Sequence, residues 1–432
     1  MRIFKSWFDS TRVHRISIYY MPLLTKQTES GFKELGVSAS ILNELKRLKI
    51  EIPTPIQAKS IPVALTGQDL VGVAQTGTGK TFAFGIPMIE RLAAARGQGL
   101  ILLPTRELAL QVDENLRRLG GRLGLRTAAL IGGQGMGGQL LALRKNPHIF
   151  IATPGRLIDH LRRGSVRLDR VKILVLDEAD RMFDMGFAPQ IEEIIGRVPR
   201  ARQTLLFSAT MPRAILKLAA AHMIMPIHIE VAPSGTTVEL VDQEVYVMRK
   251  EAKLGQLEKI LHEYRGSVLV FTRTKYGAKN LARNLERGGH EVAEIHSNLS
   301  FSQRQDSMAG FKSRKYRILI ATDIAARGID VSDIELVVNY DLPDDSDDYV
   351  HRIGRTARAG KVGKAISFVT PDQGRDLRSI ERLINKKLTL KKFTELEPAN
   401  MRPVVRRYGR TMSFGRAARR PGAGNIRRRR GR

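Results

Sequence analysis

Residues 70–81 read Leu-Val-Gly-Val-Ala-Gln-Thr-Gly-Thr-Gly-Lys-Thr. An apolar run rich in valine passes into a loop of small residues and closes on Lys80 and Thr81, where a helix-like pattern begins. Strand, glycine loop and helix start form the context in which backbone N–H groups turn onto phosphates. In that reading Thr76, Gly77, Thr78 and Gly79 line the cradle, Lys80 reaches the β and γ phosphates, and Thr81 holds Mg²⁺. Ala74 stands where the general pattern has its first glycine. The competing reading is a turn with no ligand, and the Gly-Lys-Thr ending in this position argues against it.

Outward from this stretch, short apolar runs alternate with longer helix-like ones, the rhythm of parallel sheets covered by helices. One series of strands is expected at 70–74, 100–103, 128–131, 149–152, 173–176 and 204–207. A second is expected at 268–271, 292–295, 318–321, 336–338 and 365–369. Small, polar and charged residues follow nearly every run, among them Pro104–Arg106, Gly132–Gly133, Thr153–Arg156, Asp177–Asp180 and Ser208–Thr210. Open α/β sheets bind ligands beyond the carboxyl ends of their strands, so the chemistry is expected along one edge of each domain. Ordinary βα turns are also polar, and only the whole series makes the case. The expected organisation is an N-terminal extension at 1–30, an α/β domain at 31–231, a linker of Pro, Ser, Gly and Thr at 232–237, a second α/β domain at 238–394 and a tail at 395–432.

Asp177 and Glu178 close the run 173–176, about a hundred residues after the glycine loop. Asp177 can join the Mg²⁺ shell while Glu178 orients and deprotonates an attacking water, the second half of a nucleotide-hydrolysis site. Alone, such a pair is more often a solvated helix start. In the second series His351, Arg352, Ile353, Gly354, Arg355, Thr356, Ala357 and Arg358 carry three arginines spaced by three, expected along one face of a helical turn. They read either as a basic surface patch or, for Arg355 and Arg358, as fingers that stabilise transition-state charge on a γ-phosphate.

Seventy-two Lys plus Arg against 43 Asp plus Glu give a net charge of +29, a field that draws polyanions. Nucleic acid is the first candidate; a membrane surface would call for an amphipathic basic helix, which the sequence lacks. No apolar run approaches the ~20 residues that span a bilayer. Zero cysteines exclude disulfides and thiolate metal sites and suit a reducing compartment. Residues 399–432 hold twelve arginines and no acid, the composition of a disordered, polyanion-binding tail. Arg2, Lys5, Arg12 and Arg15 against Asp9 give the first 20 residues a composition that a transit peptide shares, and Met21 is an alternative start.

Together these residues resemble the DEAD-box family of ATP-dependent RNA helicases in superfamily 2, with the box itself at Asp177, Glu178, Ala179 and Asp180. The resemblance covers about 32–393 and adds Pro53–Gln57 and Ala321–Asp330 in the family's order, and the stretch 351–360 is similar to the bacterial RhlE-like subgroup. It implies two tandem RecA-like domains, with ATP and Mg²⁺ as cofactors and single-stranded RNA and short duplexes as partners. It also implies a cytoplasmic protein, expected to be a monomer. By resemblance Gln57 reads the adenine edge and Asp330 holds the ribose. Asp180, Ser208, Thr210, His351 and Arg352 couple the ATP site to closure of the domains. Arg106, Gly133, Thr153 and Arg156 contact RNA in the first domain, and Thr272, Arg273, Thr322 and Gly328 in the second.

Two positions depart from the family pattern. Ile50 stands where an aromatic residue commonly packs on adenine, leaving Phe32 to support that pocket, and Phe301 stands where a glutamine commonly precedes Arg304. Two other functions fit the same residues: an RNA clamp whose residence time ATP controls, and a DNA helicase of the same superfamily.

Overall fold

The computed structural model describes residues 31–75, 77–95, 97–231, 241–326, 334–356 and 363–392, all within one compact unit. Fourteen strands form among these residues. Those of the first sheet are β1 (Leu70–Val73), β2 (Gln98–Leu102), β3 (Thr127–Leu130), β4 (Ile149–Ala152), β5 (Val171–Leu176), β6 (Gln203–Ser208) and β7 (Ile227–Glu230). Those of the second are β8 (Val241–Val247), β9 (Val268–Phe271), β10 (Val292–Ile295), β11 (Ile318–Ala321), β12 (Leu336–Asn339), β13 (Gly363–Val369) and β14 (Thr389–Lys392). The sheet orders are β3-β4-β2-β5-β6-β1-β7 and β10-β11-β9-β12-β13-β8-β14, and every pairing is parallel. Adding seven to each strand of the first order gives the second, so one topology is used twice.

Period-two alternation sends neighbouring side chains of each strand to opposite faces. In β5, Ile173 and Val175 join one apolar cluster while Leu174 and Leu176 join another. Helices cover both faces, and for that reason the strands read as unbroken apolar runs. Among the described residues no helix is long and apolar enough to cross a membrane.

The eleven expected strands all form, but β7, β8 and β14 were not expected. β7 and β14 are edge strands whose His228 and Glu230, and Thr389, Lys391 and Lys392, leave no apolar run. β8 is an interior strand whose Asp242, Gln243 and Glu244 break the apolar run. Gln243 is tolerated there because its Oε1 accepts from the buried Tyr349 hydroxyl at 3.0 Å. The expected linker at 232–237 and the tail at 395–432 lie outside the described residues.

Sheet order sorts the loops. β5, β6 and β1 are adjacent, so Asp177–Asp180, Ser208–Thr210 and the glycine loop meet at one edge. β3, β4 and β2 form the other flank, bringing Gly133, Thr153 and Arg106 together.

Candidate active site

The helix Lys80–Ala94 starts directly on the glycine loop, with Gly79 before it at φ 88°. A side chain at Gly79 would be strained by that φ and would put its Cβ 2.5 Å from Gln57 Nε2. Gln57 braces the loop from behind: its Nε2 donates to the Gly79 carbonyl at 3.0 Å, and its Oε1 accepts from the Thr54 N–H at 2.9 Å. Thr78 Oγ1 donates to the Gln75 carbonyl at 2.7 Å, closing the loop on itself. Thr76 lies outside the described residues.

Lys80 points into the protein. Its side chain is 6% exposed, its Nζ lies 3.9 Å from Asp177 Oδ1, and it has no hydrogen-bond partner among the described residues. A buried ammonium without acceptors costs several kcal/mol, so the site fits a polyanion that would supply them. Burial pushes the Asp177 carboxyl up to about 6, Glu178 and Asp180 push the same way, and Lys80 opposes them. Such crowding of carboxylates fits a cation. Among the described residues no group of three or more His, Cys, Asp or Glu could hold a metal alone. Mg²⁺ suits that arrangement, since it commonly takes one or two protein oxygens and completes its shell with phosphates and water. Asp177, buried, and Thr81, half-buried, are the residues that would hold it.

Glu178 adopts φ 52°, ψ 50°, a left-handed conformation costing an L-residue on the order of 1 kcal/mol. Its carboxylate accepts from Arg181 Nη1 at 2.7 Å, with both side chains 3% exposed. Burial would raise the Glu178 carboxyl, but Arg181, Lys80, Arg355 and His351 outweigh it and hold it at about 2. Arg181 was missed in the sequence, although its place three residues beyond Glu178 at a helix start was a usable signal. Asp180 Oδ2 accepts from the Ala209 and Thr210 N–H groups and from the Thr210 hydroxyl, at 3.0, 2.8 and 3.0 Å. Ser208 Oγ accepts from the Asp180 N–H at 3.2 Å. These bonds join the carboxylate loop to Ser208 and Thr210.

The second sheet supplies the facing wall. A small cavity is lined by Arg181 from one half and by Phe271, Asp323, Asp348, His351, Arg352 and Arg355 from the other. Burial, with Arg181 and Arg355 adding to it and Asp180 opposing, pushes His351 down to about 3, so its ring is neutral at pH 7. Arg352 and Arg355 do not share a helical face as expected, because the helix Ser346–Ile353 ends before Arg355. Arg352 turns into its own domain, 1% exposed, pairing with both Asp323 oxygens at 2.5 and 2.7 Å and donating to the Asp341 carbonyl at 2.6 Å. Its guanidinium also stacks over Phe271 at 5.0 Å. Arg355 instead lies in the following turn, 3% exposed, within electrostatic reach of Glu178. Arg358 and Asp330 lie outside the described residues.

On the other flank, Gly133 adopts φ 73° and is packed so closely on Arg106 that a Cβ would meet Arg106 Nη1. Arg156 Nη1 donates to the Gln134 carbonyl at 3.1 Å, and Thr153 precedes the helix Pro154–Arg162 with no side-chain bond to its first turn. In the second half Thr272 and Thr322 are buried at strand ends, and Arg273 pairs with Asp344 at 3.1 Å. Gly328 lies outside the described residues. Ile50 is half-buried against the core, and Phe32 is 3% exposed within it. Phe32 thus has no free face on which a base could stack.

Known proteins share this architecture. The DEAD/DEAH box helicase family matches residues 54–218, and the helicase conserved C-terminal domain matches 252–360. The DEAD-box ATP-dependent RNA helicase CshA of Geobacillus kaustophilus is 44% identical over 371 residues, 85% of this chain and 79% of that one. The name CshA lends no support to the RhlE-like subgrouping. Dbp5 of S. cerevisiae bound to RNA and ADP BeF3 superposes with TM-score 0.77 at 31% identity, covering 84% of this chain and 95% of that one. A DEAD box protein from Methanococcus jannaschii superposes with TM-score 0.51 at 42% identity, covering 84% and 99%. With the glycine loop, the carboxylate pair and the doubled RecA-like sheet in place, the chain belongs to the DEAD-box ATP-dependent RNA helicases.

Proposed function

We propose that RNA-stimulated ATP hydrolysis in this helicase is carried by a cleft with two unlike walls. Lys80 and the loop 76–79 hold the phosphates, Asp177 and Thr81 hold Mg²⁺, and Glu178 orients the attacking water. Arg355, with Arg358, stabilises charge on the γ-phosphate from the other side. The observation that carries this reading is the Lys80 ammonium, buried without a hydrogen-bond partner among the described residues beside Asp177, on the glycine-loop wall of that cleft. When bound, Mg²⁺ would neutralise developing phosphate charge. Gln57 keeps one N–H and one lone pair beyond its two internal bonds, the pair an adenine edge requires. Asp330 would meet the ribose.

RNA would cross the loops at 106, 133, 153 and 156 and then those at 272, 273, 322 and 328. Most of these groups suit phosphate and sugar, which position a strand without reading its sequence. The lower-identity chain bound to RNA superposes better than the higher-identity Methanococcus chain. Two rigid halves give that pattern when their relative placement follows the RNA-bound arrangement. We further propose a cytoplasmic monomer that separates short duplexes locally, with division between the domains at 232–237. The cysteine-free composition supports the reducing compartment.

The test is Glu178→Gln, read as RNA-stimulated ATP turnover beside RNA binding in the presence of ATP. Turnover should fall by about 10² or more while ATP-dependent RNA binding persists. Wild-type turnover in the variant would remove Glu178 from the chemistry.

A further inference from the structure

Phe301 belongs to the second half but is buried with the first. It is 9% exposed and joins an apolar cluster otherwise made of residues between 32 and 231. Ten residues further along the same helix, Phe311 is 2% exposed in the second half's own cluster. The helix Phe301–Lys312 is therefore a strut about 18 Å long with one aromatic foot in each core. Its first turn is fixed by a capping box, in which Ser300 Oγ accepts from the Gln303 N–H at 3.2 Å and Gln303 Oε1 accepts from the Ser300 N–H at 2.8 Å. The Phe301 ring is thus presented at a set angle.

What that ring touches gives it a role. The Arg106 guanidinium lies over it, 6.0 Å from its centre, and one turn along, Arg304 Nη2 lies 2.9 Å from Glu107 Oε1. Arg106 is hemmed in on another side by Gly133. Ring, guanidinium and Gly133 form one packed series running from the second half into the candidate RNA track of the first. A glutamine here would bring an amide that needs partners, whereas a phenyl ring asks for none and offers a face to a cation.

We propose that Phe301 is a positioning residue: seated in the first half when the halves close, it holds Arg106 on the RNA, so that the first half's phosphate contact is set by closure. This rests on reading Arg106 as an RNA contact. ATP and RNA binding are then linked through one aromatic ring as well as through the cleft.

The experiment measures affinity for a labelled single-stranded RNA, using the full chain with and without a non-hydrolysable ATP analogue. The analogue should tighten binding in the wild type, and Phe301→Ala should shrink that tightening by about tenfold, as loss of a well-buried interface aromatic does. Phe301→Leu should stay within about threefold of wild type while Phe301→Gln behaves as the alanine variant. Where Phe301→Ala does not fold, the Leu and Gln pair decides alone, and equal behaviour of the two sinks the proposal. A folded Phe301→Ala with undiminished tightening sinks it as well. On an Arg106→Ala background, Phe301→Ala should add little, and additive losses would show that the ring does not act through Arg106. Unchanged RNA affinity in Arg106→Ala alone would instead remove Arg106 from the RNA track, and this proposal with it.

Discussion

The two halves are one fold used for two purposes. After β1 the chain enters 74–79, two of whose glycines take positive φ, and a buried lysine follows. After β8, which holds the equivalent place in the second sheet, it enters Met248, Arg249 and a short 3-10 turn Lys250–Ala252. The first loop can wrap a phosphate and the second cannot. The second sheet delivers its share from a different strand end, the segment after β12 that carries His351 and Arg355. Identical strand order thus fixes where loops emerge, and the residues in the loops fix what they do. Neither half holds both the glycine loop and Arg355, so in the proposed mechanism hydrolysis depends on their meeting.

That contrast can be broken most sharply at the two lysines. Lys80→Ala should lower RNA-stimulated ATP turnover by about 10³ or more, while Lys250→Ala, in the turn after β8, should change it less than about twofold. Comparable losses would mean the second sheet also binds the nucleotide. Next in size is Arg352, which the structure separates from Arg355. Arg352→Ala strands Asp323 beside a buried gap and should cost about 3 kcal/mol of stability, seen as an earlier denaturant midpoint. An unaltered midpoint with lost turnover would return Arg352 to the cleft.

A smaller effect is expected one turn from the water-orienting carboxylate. Arg181→Ala should lower turnover by roughly 10- to 30-fold with little change in the KM for ATP, and Arg181→Lys should recover part of it. If KM rose and turnover held, Arg181 would be a nucleotide contact instead. The least loss should come from the tail: ending the chain after residue 394 removes its arginines, so RNA affinity should fall a few-fold and depend less steeply on salt. An unaltered salt slope would leave the tail without an RNA role.

Much of the active site was legible because its chemistry is local in sequence. The glycine loop and the Asp177–Asp180 box are contiguous runs, and their place after strands was readable from apolar patterning. Asp180 is hydrogen-bonded to Ser208 and Thr210, residues to which the resemblance alone gives a part in coupling. The arginine series was only partly legible. Regular spacing suggested one face, but the helix points Arg352 inward and stops at Ile353, and the turn that follows leaves Arg355 beside the cleft. β8 was hidden because its buried glutamine is satisfied by Tyr349, 106 residues away.

By itself the sequence determined two α/β halves, a phosphate loop in the first and arginines in the second, because backbone geometry and strand burial act over a few residues. It also fixed the charge that favours a polyanion. Only the tertiary structure decided the order β5-β6-β1, which gathers the hydrolytic loops, and the order β3-β4-β2, which gathers the candidate RNA loops. Strand order is set by packing between residues distant in the chain, and no local pattern records it. The same is true of Phe301: its identity is written in the sequence, but the core in which it is buried is a fact of folding.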